Sequence, residues 1–168
     1  FDLKKTEVSA FNDALLAAKA RVAAKFEEAE AALPPSFFLG LGRYTDKLPN
    51  QKNTGLLHFE LDAFEDLFGR LAAAKPTELL NVHWPDLPEE MGETYDFKGK
   101  SYRAHPIEIT FEGSEDSMRN FLSSLDNSEG YYYVVRTMRV SNTRTTAPNA
   151  KDATFEQPKA PSDDSNPF

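Results

Sequence analysis

The spacing of apolar residues near the N-terminus predicts one long helix over residues 6–33. Apolar side chains recur at alternating intervals of three and four residues, an a/d pattern sustained for about three and a half heptads. Pro34 and Pro35 end the helix, because proline cannot continue it. So narrow a stripe is typical of a coiled-coil seam, although a helix that packs on its own domain shows the same spacing. We take five of its members as interface candidates: Val8, Phe11, Leu15, Val22 and Phe26.

Residues 36–142 alternate between strand-like and helix-like patterns. Period-two alternation or a short apolar run predicts a strand, and spacings of three and four predict a helix. The predicted strands are 36–44, 79–84, 107–111 and 131–140, the predicted helices are 54–74 and 114–125, and residues 94–104 resemble an irregular hairpin. This order predicts an α+β fold in which the long N-terminal helix precedes a ferredoxin-like βαββαβ domain.

The composition changes after Asn142, where large apolar residues become rare and Pro, Ala, Ser, Thr and Asp dominate. Such a segment cannot offset its ordering entropy by burying apolar surface, so we expect it to be flexible unless a partner holds it. The predicted organisation is an amphipathic coiled-coil helix over residues 1–35, a ferredoxin-like domain over 36–142 and a flexible tail over 143–168.

Composition and charge exclude several classes of function. The chain of 168 residues contains no cysteine, which rules out disulfides, thiolate metal sites and a cysteine nucleophile. Its formal net charge of -8 repels nucleic-acid backbones and anionic membranes. No apolar run approaches the roughly 18 residues that a membrane span needs. The chain begins with Phe1, so we expect a fragment whose membrane anchor lies upstream.

The sequence offers no arrangement of residues that is typical of catalysis or of cofactor binding. Its histidines, His58, His83 and His105, are not spaced as a zinc-binding pair. Neither a phosphate-binding loop nor a GxSxG or SxxK nucleophile motif is present. We therefore predict a protein that is not an enzyme and that has no catalytic, cofactor-binding or metal-binding residues.

The run NSEGYYYVVRTMRVSN, residues 127–142, concentrates aromatic, branched and basic side chains. Aromatic residues on a ferredoxin-like sheet are one way to bind RNA. Here the third strand carries Glu108 and Glu112, which repel phosphate, and no ribonucleoprotein motif is present. We predict no nucleic-acid binding, and an edge strand that contacts other proteins. Tyr131, Tyr132 and Arg139 are interface candidates, because Tyr and Arg are enriched among residues that dominate binding energy.

The stretch from residue 105 to residue 142 resembles the strand-helix-strand region of PilO-like proteins, components of the type IV pilus alignment complex that are related to a type II secretion component. The matching positions are Pro106, Ile107, Ile109, Phe111 and Gly113 in the first strand and Val135, Met138, Arg139, Val140 and Asn142 in the last. The stretches SFFLGLGRYTDKLP, LLHFELDAFEDLFGRLA and VHWPDLPEE are still more similar to the pilus-like outer-membrane proteins of Akkermansia and related Verrucomicrobia. The resemblance spans roughly residues 6–142.

This resemblance implies a bacterial cell-envelope scaffold that faces the periplasm and has neither a cofactor nor an active site. A coiled-coil stem above a membrane anchor would carry a ferredoxin-like head, which pairs with a like domain as a homodimer or a heterodimer. Its association with the inner or outer membrane would run through an N-terminal segment that this sequence does not contain. In the verrucomicrobial relatives one further strand follows the tail region, and this sequence stops before it.

A second function stays open from the residues alone, namely a small-ligand regulatory module of the ACT type. Such modules share the ferredoxin-like fold and carry a glycine-rich turn after the first strand. Here the corresponding loop, TDKLPNQKN at residues 45–53, has no glycine before Gly55. This favours the scaffold over the ligand-binding module.

Overall fold

The structure, a computed structural model, describes residues 3, 6–93, 99, 102–143 and 146. Within them the helices are α1 (Val8–Glu28), α2 (Thr54–Ala73) and α3 (Glu115–Leu125), the strands are β1 (Glu78–His83) and β2 (Glu108–Glu112), and short 3-10 turns cover Gly42–Tyr44, Gln51–Asn53 and Pro88–Met91. The chain divides into two compact units, Phe1–Val134 and Val135–Phe168, and all these elements belong to the first. The fold is therefore α+β, as the sequence predicts, and it begins with a long helix.

The apolar stripe of α1 packs against α2 of the same chain. The buried members of the stripe are Phe11, Leu15, Ala18, Val22 and Phe26. They share one hydrophobic core with the apolar face of α2, which is formed by Leu57, Leu61, Phe64, Leu67, Phe68 and Leu71. Each large apolar side chain moved from water into such a core stabilises the fold by about 1.5–3 kcal/mol. The predicted helix is confirmed, and its stripe has an intramolecular partner.

α1 ends at Glu28, earlier than predicted, because the chain then turns into an edge contact with β1. Glu30 has a left-handed backbone conformation with a φ of 57°, which breaks the helix. The amide of Ala32 donates to the carbonyl of Thr77 at 3.0 Å, and the amide of Leu79 donates to the carbonyl of Ala32 at 2.9 Å. The hydrogen bonds of Ala32 with Thr77 and Leu79 thus override the helix that the apolar spacing predicts for the residues after α1.

Residues 36–44 form turns, which corrects our prediction of a first strand there. Leu39 and Gly40 have positive φ values of 52° and 80°, and a 3-10 turn follows at Gly42–Tyr44. A left-handed conformation of this kind breaks a strand. Glycine suits position 40, because a Cβ there would lie 3.1 Å from Cγ1 of Val82. The apolar side chains of this segment are buried through turns, so the apolar run alone does not identify a strand.

β1 and β2 pair antiparallel, close to their predicted positions. Leu79 lies opposite Phe111 and Val82 lies opposite Ile109, and these residues pack on the core. One face of the pair therefore covers the helices. The described residues form this two-stranded sheet, so the predicted four-stranded ferredoxin-like sheet is not established. The predicted hairpin over residues 94–104 lies largely outside the described part of the chain.

α3 begins where the sequence predicts. The side chain of Ser114 accepts a hydrogen bond from the amide of Ser117 at 3.1 Å, which is an N-cap. Two acidic residues occupy the first turn, where the helix dipole favours negative charge. Phe121 packs edge-on against Phe111, with ring centroids 5.6 Å apart. This contact packs α3 against β2.

The last predicted strand, residues 131–140, is not part of the sheet. The chain runs from residue 131 to residue 142 without a helix, turn or bend, so its backbone is extended. No strand among the described residues pairs with it. The predicted strand over residues 131–140 is therefore not found in the part of the chain that the structure describes.

Candidate functional site

The run from residue 131 to residue 142, which we call the tyrosine segment, is anchored to α2 at its start. The ring of Tyr131 packs edge-on against Phe59, with centroids 5.8 Å apart. The hydroxyl oxygen of Tyr133 lies 2.8 Å from a backbone carbonyl oxygen of α2 and 3.0 Å from Oδ2 of Asp66. The two odd-numbered tyrosines therefore face the helix, as the period of two in an extended backbone requires.

Replacing Tyr133 with phenylalanine should lower the free energy of unfolding by about 1.5 kcal/mol, because a hydrogen bond to a charged group is lost. Burial acts to raise the pKa of Asp66, but hydrogen bonds from Arg70 and Tyr133 outweigh it and hold that pKa below its ordinary value. A carboxylate with a depressed pKa contributes stability above its unfolded-state pKa and loses it as the pH falls through the folded-state pKa. Urea unfolding at about pH 7 and about pH 3 should show the difference shrinking on acidification.

Tyr132→Phe is the matched control for this prediction. The side chain of Tyr132 is 94% exposed, so removal of its hydroxyl should leave the free energy of unfolding unchanged. An equal loss in the two variants would show that the contact between Tyr133 and Asp66 does not stabilise the fold.

The remainder of the tyrosine segment exposes large apolar side chains. They are Tyr132 and Val134 in the first unit and Val135, Met138 and Val140 in the second, each more than half exposed. Arg136 and Arg139 are exposed as well. Isolated exposed apolar residues are common, but a run of them mixed with Tyr, Met and Arg is typical of a protein-protein interface.

The structure separates the interface candidates into buried and accessible residues. Those of α1 that are buried in the chain's own core are Phe11, Leu15, Val22 and Phe26. Val8 and Tyr131 are half-buried, and Tyr132 and Arg139 are exposed. Contact between another chain and the buried stripe would require α1 to leave α2. Apart from the half-buried Val8, the accessible candidates therefore lie in the tyrosine segment.

A second cluster, which the local sequence pattern does not predict, joins α2 to the residues before β2. Glu60 of α2 is 1% exposed, and its Oε1 contacts Nδ1 of His105. Its Oε2 is buried without a hydrogen-bond partner among the described residues. Burial raises the pKa of the Glu60 carboxyl, and the contact with His105 opposes that shift. The buried carboxylate of Glu60 is thus held in contact with the partly exposed imidazole of His105.

Further ionisable side chains surround this pair, and we call the whole group the acid-base junction: Tyr44, Glu60, Glu89, Glu90, Arg103 and His105. Both carboxylate oxygens of Glu89 bond to Arg103, one of them at 2.9 Å, and this lowers the pKa of Glu89. The hydroxyl of Tyr44 donates to Glu90, and burial raises the pKa of Tyr44. These contacts hold the turn at Pro88–Met91 and the residues before β2 against the core.

A cleft of about 330 Å³ lies between residues 34–43 and β1. Arg43 lines it, with its guanidinium carbon 4.4 Å from the centroid of the Trp84 ring. The same guanidinium donates to the carbonyl oxygen of Trp84 at 2.9 Å and pairs with Asp86. Because Arg43 is already engaged by these groups, the cleft is a weak site for an anionic ligand.

The described residues contain neither a metal-binding cluster nor a membrane-spanning helix. In this part of the chain no three side chains among His, Cys, Asp and Glu are grouped so that they could hold a metal ion. No helix there is long and apolar enough to cross a bilayer. The acid-base junction holds elements of one unit together, whereas the tyrosine segment presents apolar side chains to solvent.

These features define the class, an α+β protein that exposes apolar side chains in its tyrosine segment. The chain belongs to the pilus-like family, whose family model matches residues 1–168. Membership of this family indicates a pilus-related role, and it agrees with the expectation that the protein is not an enzyme.

Solved structures of proteins from Akkermansia muciniphila have a similar fold. One, determined without its transmembrane region, aligns with a TM-score of 0.76 and 23% identity over 85% of this chain and 80% of that chain. A crystal structure from the same organism gives a TM-score of 0.73 and 23% identity over 84% of this chain and 72% of that chain. The crystal structure of a core domain from the same organism gives a TM-score of 0.73 and 23% identity over 84% of this chain and 81% of that chain. These identities establish the shared fold alone. None of the curated proteins matches the chain.

Proposed function

We propose that the chain is a non-enzymatic scaffold of the bacterial cell envelope. In this proposal it is a PilO-like component of a type IV pilus or related type II secretion assembly platform, and it acts by docking with other proteins. Membership of the pilus-like family and the fold shared with proteins of Akkermansia muciniphila support a pilus-related role. The observation that carries the docking role is the exposed apolar surface of the tyrosine segment.

The composition of the tyrosine segment supports docking. Tyr, Met and Arg are enriched in protein interfaces, and the segment presents Tyr132, Met138 and Arg139 to solvent. A partner that covers apolar surface gains about 25 cal/mol for each Å² removed from water. We therefore assign the main contacts to Tyr132 and Arg139. Tyr131 packs against Phe59 of α2, which anchors the start of the segment.

The backbone of the tyrosine segment supports docking by strand addition. Residues 131–141 are extended and pair with no strand among the described residues. An extended segment can add to the edge of a partner's sheet, where main-chain hydrogen bonds give affinity and side chains give specificity. The partner that fits this mode is a like domain, either a second copy of the chain or a related subunit of the assembly platform.

We place the scaffold on the periplasmic side of the inner or outer membrane, held there by a segment outside this sequence. One of the similar structures was determined without its transmembrane region, which supports such an anchor in a protein of the same fold. The anchor itself is tested by fractionating membranes from cells that produce the tagged natural protein.

Photocrosslinking in the native cell tests the docking surface. A probe at Met138 should capture a pilus or secretion component, or a second copy of the chain, because Met138 is more than half exposed. Replacing Tyr132 and Val134 with serine should abolish this capture. Both side chains lie in solvent, so thermal unfolding should stay the same.

The control probe is at Leu16, which is 57% exposed on α1 and lies away from the tyrosine segment in sequence. Capture of the same proteins at Leu16 and at Met138 would show that the tyrosine segment has no special part in docking. Capture at Met138 that survives the two serine substitutions would remove Tyr132 and Val134 from the interface.

The alternative function, a small-ligand module of the ACT type, rests on the cleft between residues 34–43 and β1. A thermal-shift screen with amino acids and nucleotides distinguishes it from the scaffold. A ligand that raises the unfolding temperature of the parent protein, but not of a variant in which the exposed cleft residue Asn81 is replaced with tryptophan, would favour the ligand module.

A further inference from the structure

We infer that the second half of the tyrosine segment is a cleavage site for arginine-specific serine proteases of the trypsin type, which would cut after Arg136 and Arg139. The inference concerns the free chain. One consequence rests on the proposed function, because the same segment is the proposed docking surface. A partner that covers the segment should protect it from cleavage.

The backbone of this region has the conformation that proteases bind. A protease binds its substrate as an extended segment on both sides of the cut bond, whereas a helix or a paired strand has to open locally first. Residues 134–142 contain no helix, strand, turn or bend, and every one of them is exposed. Each arginine therefore has accessible extended chain on both sides, and binding requires no prior unfolding.

The side chains also suit this class of protease. Arg136 and Arg139 are exposed, so each guanidinium can enter the acidic pocket by which trypsin-type enzymes recognise a basic residue. Arg136 is followed by Thr137 and Arg139 by Val140, so neither bond has a proline on its far side. Both bonds meet the chemical and the conformational requirement.

Other basic residues among those described are poorer sites. Several lie within helices or 3-10 turns: Lys19, Arg21, Lys25, Lys52, Arg70 and Arg119. Arg43 and Arg103 are half-buried and paired with carboxylates, and Lys75 precedes Pro76. Lys47 is exposed but lies in a bend. Lys47 is therefore the strongest competitor among the described residues and serves as the reference site.

Cleavage here is the hydrolysis of one peptide bond. The protease serine attacks the carbonyl carbon of Arg136, and the bond to the nitrogen of Thr137 breaks as that nitrogen takes up a proton. Water then hydrolyses the acyl-enzyme and leaves a new carboxylate on Arg136. The bond between Arg139 and Val140 is cut in the same way. The unit Phe1–Val134 keeps the two strands and three helices found among the described residues, so it should stay folded.

Limited digestion of the whole folded chain with trypsin, followed over time by mass spectrometry, tests this inference. The bond after Arg136 or Arg139 should be cut roughly tenfold faster than the bond after Lys47. Arg136→Gln/Arg139→Gln should abolish these cuts, and Lys47→Gln should leave their rate unchanged. Circular dichroism checks that each variant is folded. Cleavage after Lys47 at an equal or higher rate would overturn the inference.

The experiment also separates this inference from the proposed function. Rapid cleavage after Arg136 or Arg139 in the isolated chain supports the inference without any partner. The protein that the Met138 probe captures is then added to the digestion. Protection of both bonds supports the inference and the docking together. Unchanged rapid cleavage counts against docking through this segment alone, and slow cleavage of the isolated chain counts against the inference alone.

Discussion

Replacing Val22 with aspartate should unfold the chain. Val22 is 0% exposed in the core that α1 shares with α2. An uncompensated charge buried in such a place costs about 3–5 kcal/mol. Small domains have a total stability of only about 5–15 kcal/mol. We therefore expect the thermal transition, followed by circular dichroism, to fall far below that of the parent protein or to disappear.

Leu16→Asp is the matched control on the same helix. Leu16 is 57% exposed, so the new carboxylate stays in water and the free energy of unfolding should change by no more than about 0.5 kcal/mol. The comparison also identifies what the stripe of α1 packs against. A Val22→Asp protein that melts like its parent but loses self-association would show that the stripe joins two chains, contrary to its packing on α2.

The stripe of α1 illustrates what apolar spacing predicts and what it leaves open. Periodicity determines which residues share a helix face, so the helix and its buried members were predictable. It does not identify the partner, because a coiled coil and an intramolecular helix pair bury the same positions. The available signal was the second stripe, which follows in the same sequence at Leu57, Leu61, Phe64, Phe68 and Leu71.

The strand predictions succeeded where side chains alternate and failed where apolar residues are continuous. Residues 107–111 alternate between apolar and polar side chains, and β2 covers Glu108–Glu112. The run SFFLGLGRY has no such alternation, and its backbone turns at Leu39 and Gly40. A positive φ at a leucine depends on tertiary contacts that outweigh its local cost. Local pattern therefore could not distinguish this buried turn from a buried strand.

The sequence allows one part of the acid-base junction to be predicted, the burial of Glu60, but not the partner of that residue. Glu60 interrupts the apolar stripe of α2, three residues after Leu57 and four before Phe64, so its burial could have been predicted. A buried carboxylate needs a partner, because burying an unpaired charge is costly. That partner, His105, lies 45 residues further along the chain. Only the tertiary fold brings the two together, which local spacing cannot predict.

Replacing His105 with alanine should cost about 3–5 kcal/mol at neutral and alkaline pH, because it leaves Glu60 as a buried carboxylate without its partner. Of the other charged groups that act on Glu60, Arg103 favours its ionised form and Glu90 opposes it. Arg103 is already bonded to Glu89, so it is poorly placed to replace the lost contact. Urea unfolding of the variant and its parent over a range of pH measures the loss.

The direction of the pH dependence follows from Glu60. Burial raises the pKa of this carboxyl above its ordinary value of 4.5. A group whose pKa is higher in the folded state than in the unfolded state makes a contribution to the free energy of unfolding that is fully present below the unfolded-state pKa. That contribution is lost as the pH rises through the folded-state pKa. The stability of His105→Ala should therefore fall by up to about 1.4 kcal/mol for each pH unit above the ordinary value.

Glu60→Gln provides the matched control, because it removes the charge while keeping the volume and a hydrogen-bond acceptor. The double variant Glu60→Gln/His105→Ala should be more stable than His105→Ala at about pH 8 and should lack its dependence on pH in this range. Such a result attributes the whole effect to the buried charge, since both proteins lack the imidazole. Equal stability of the two at about pH 8 would mean that Glu60 is compensated by a group other than His105.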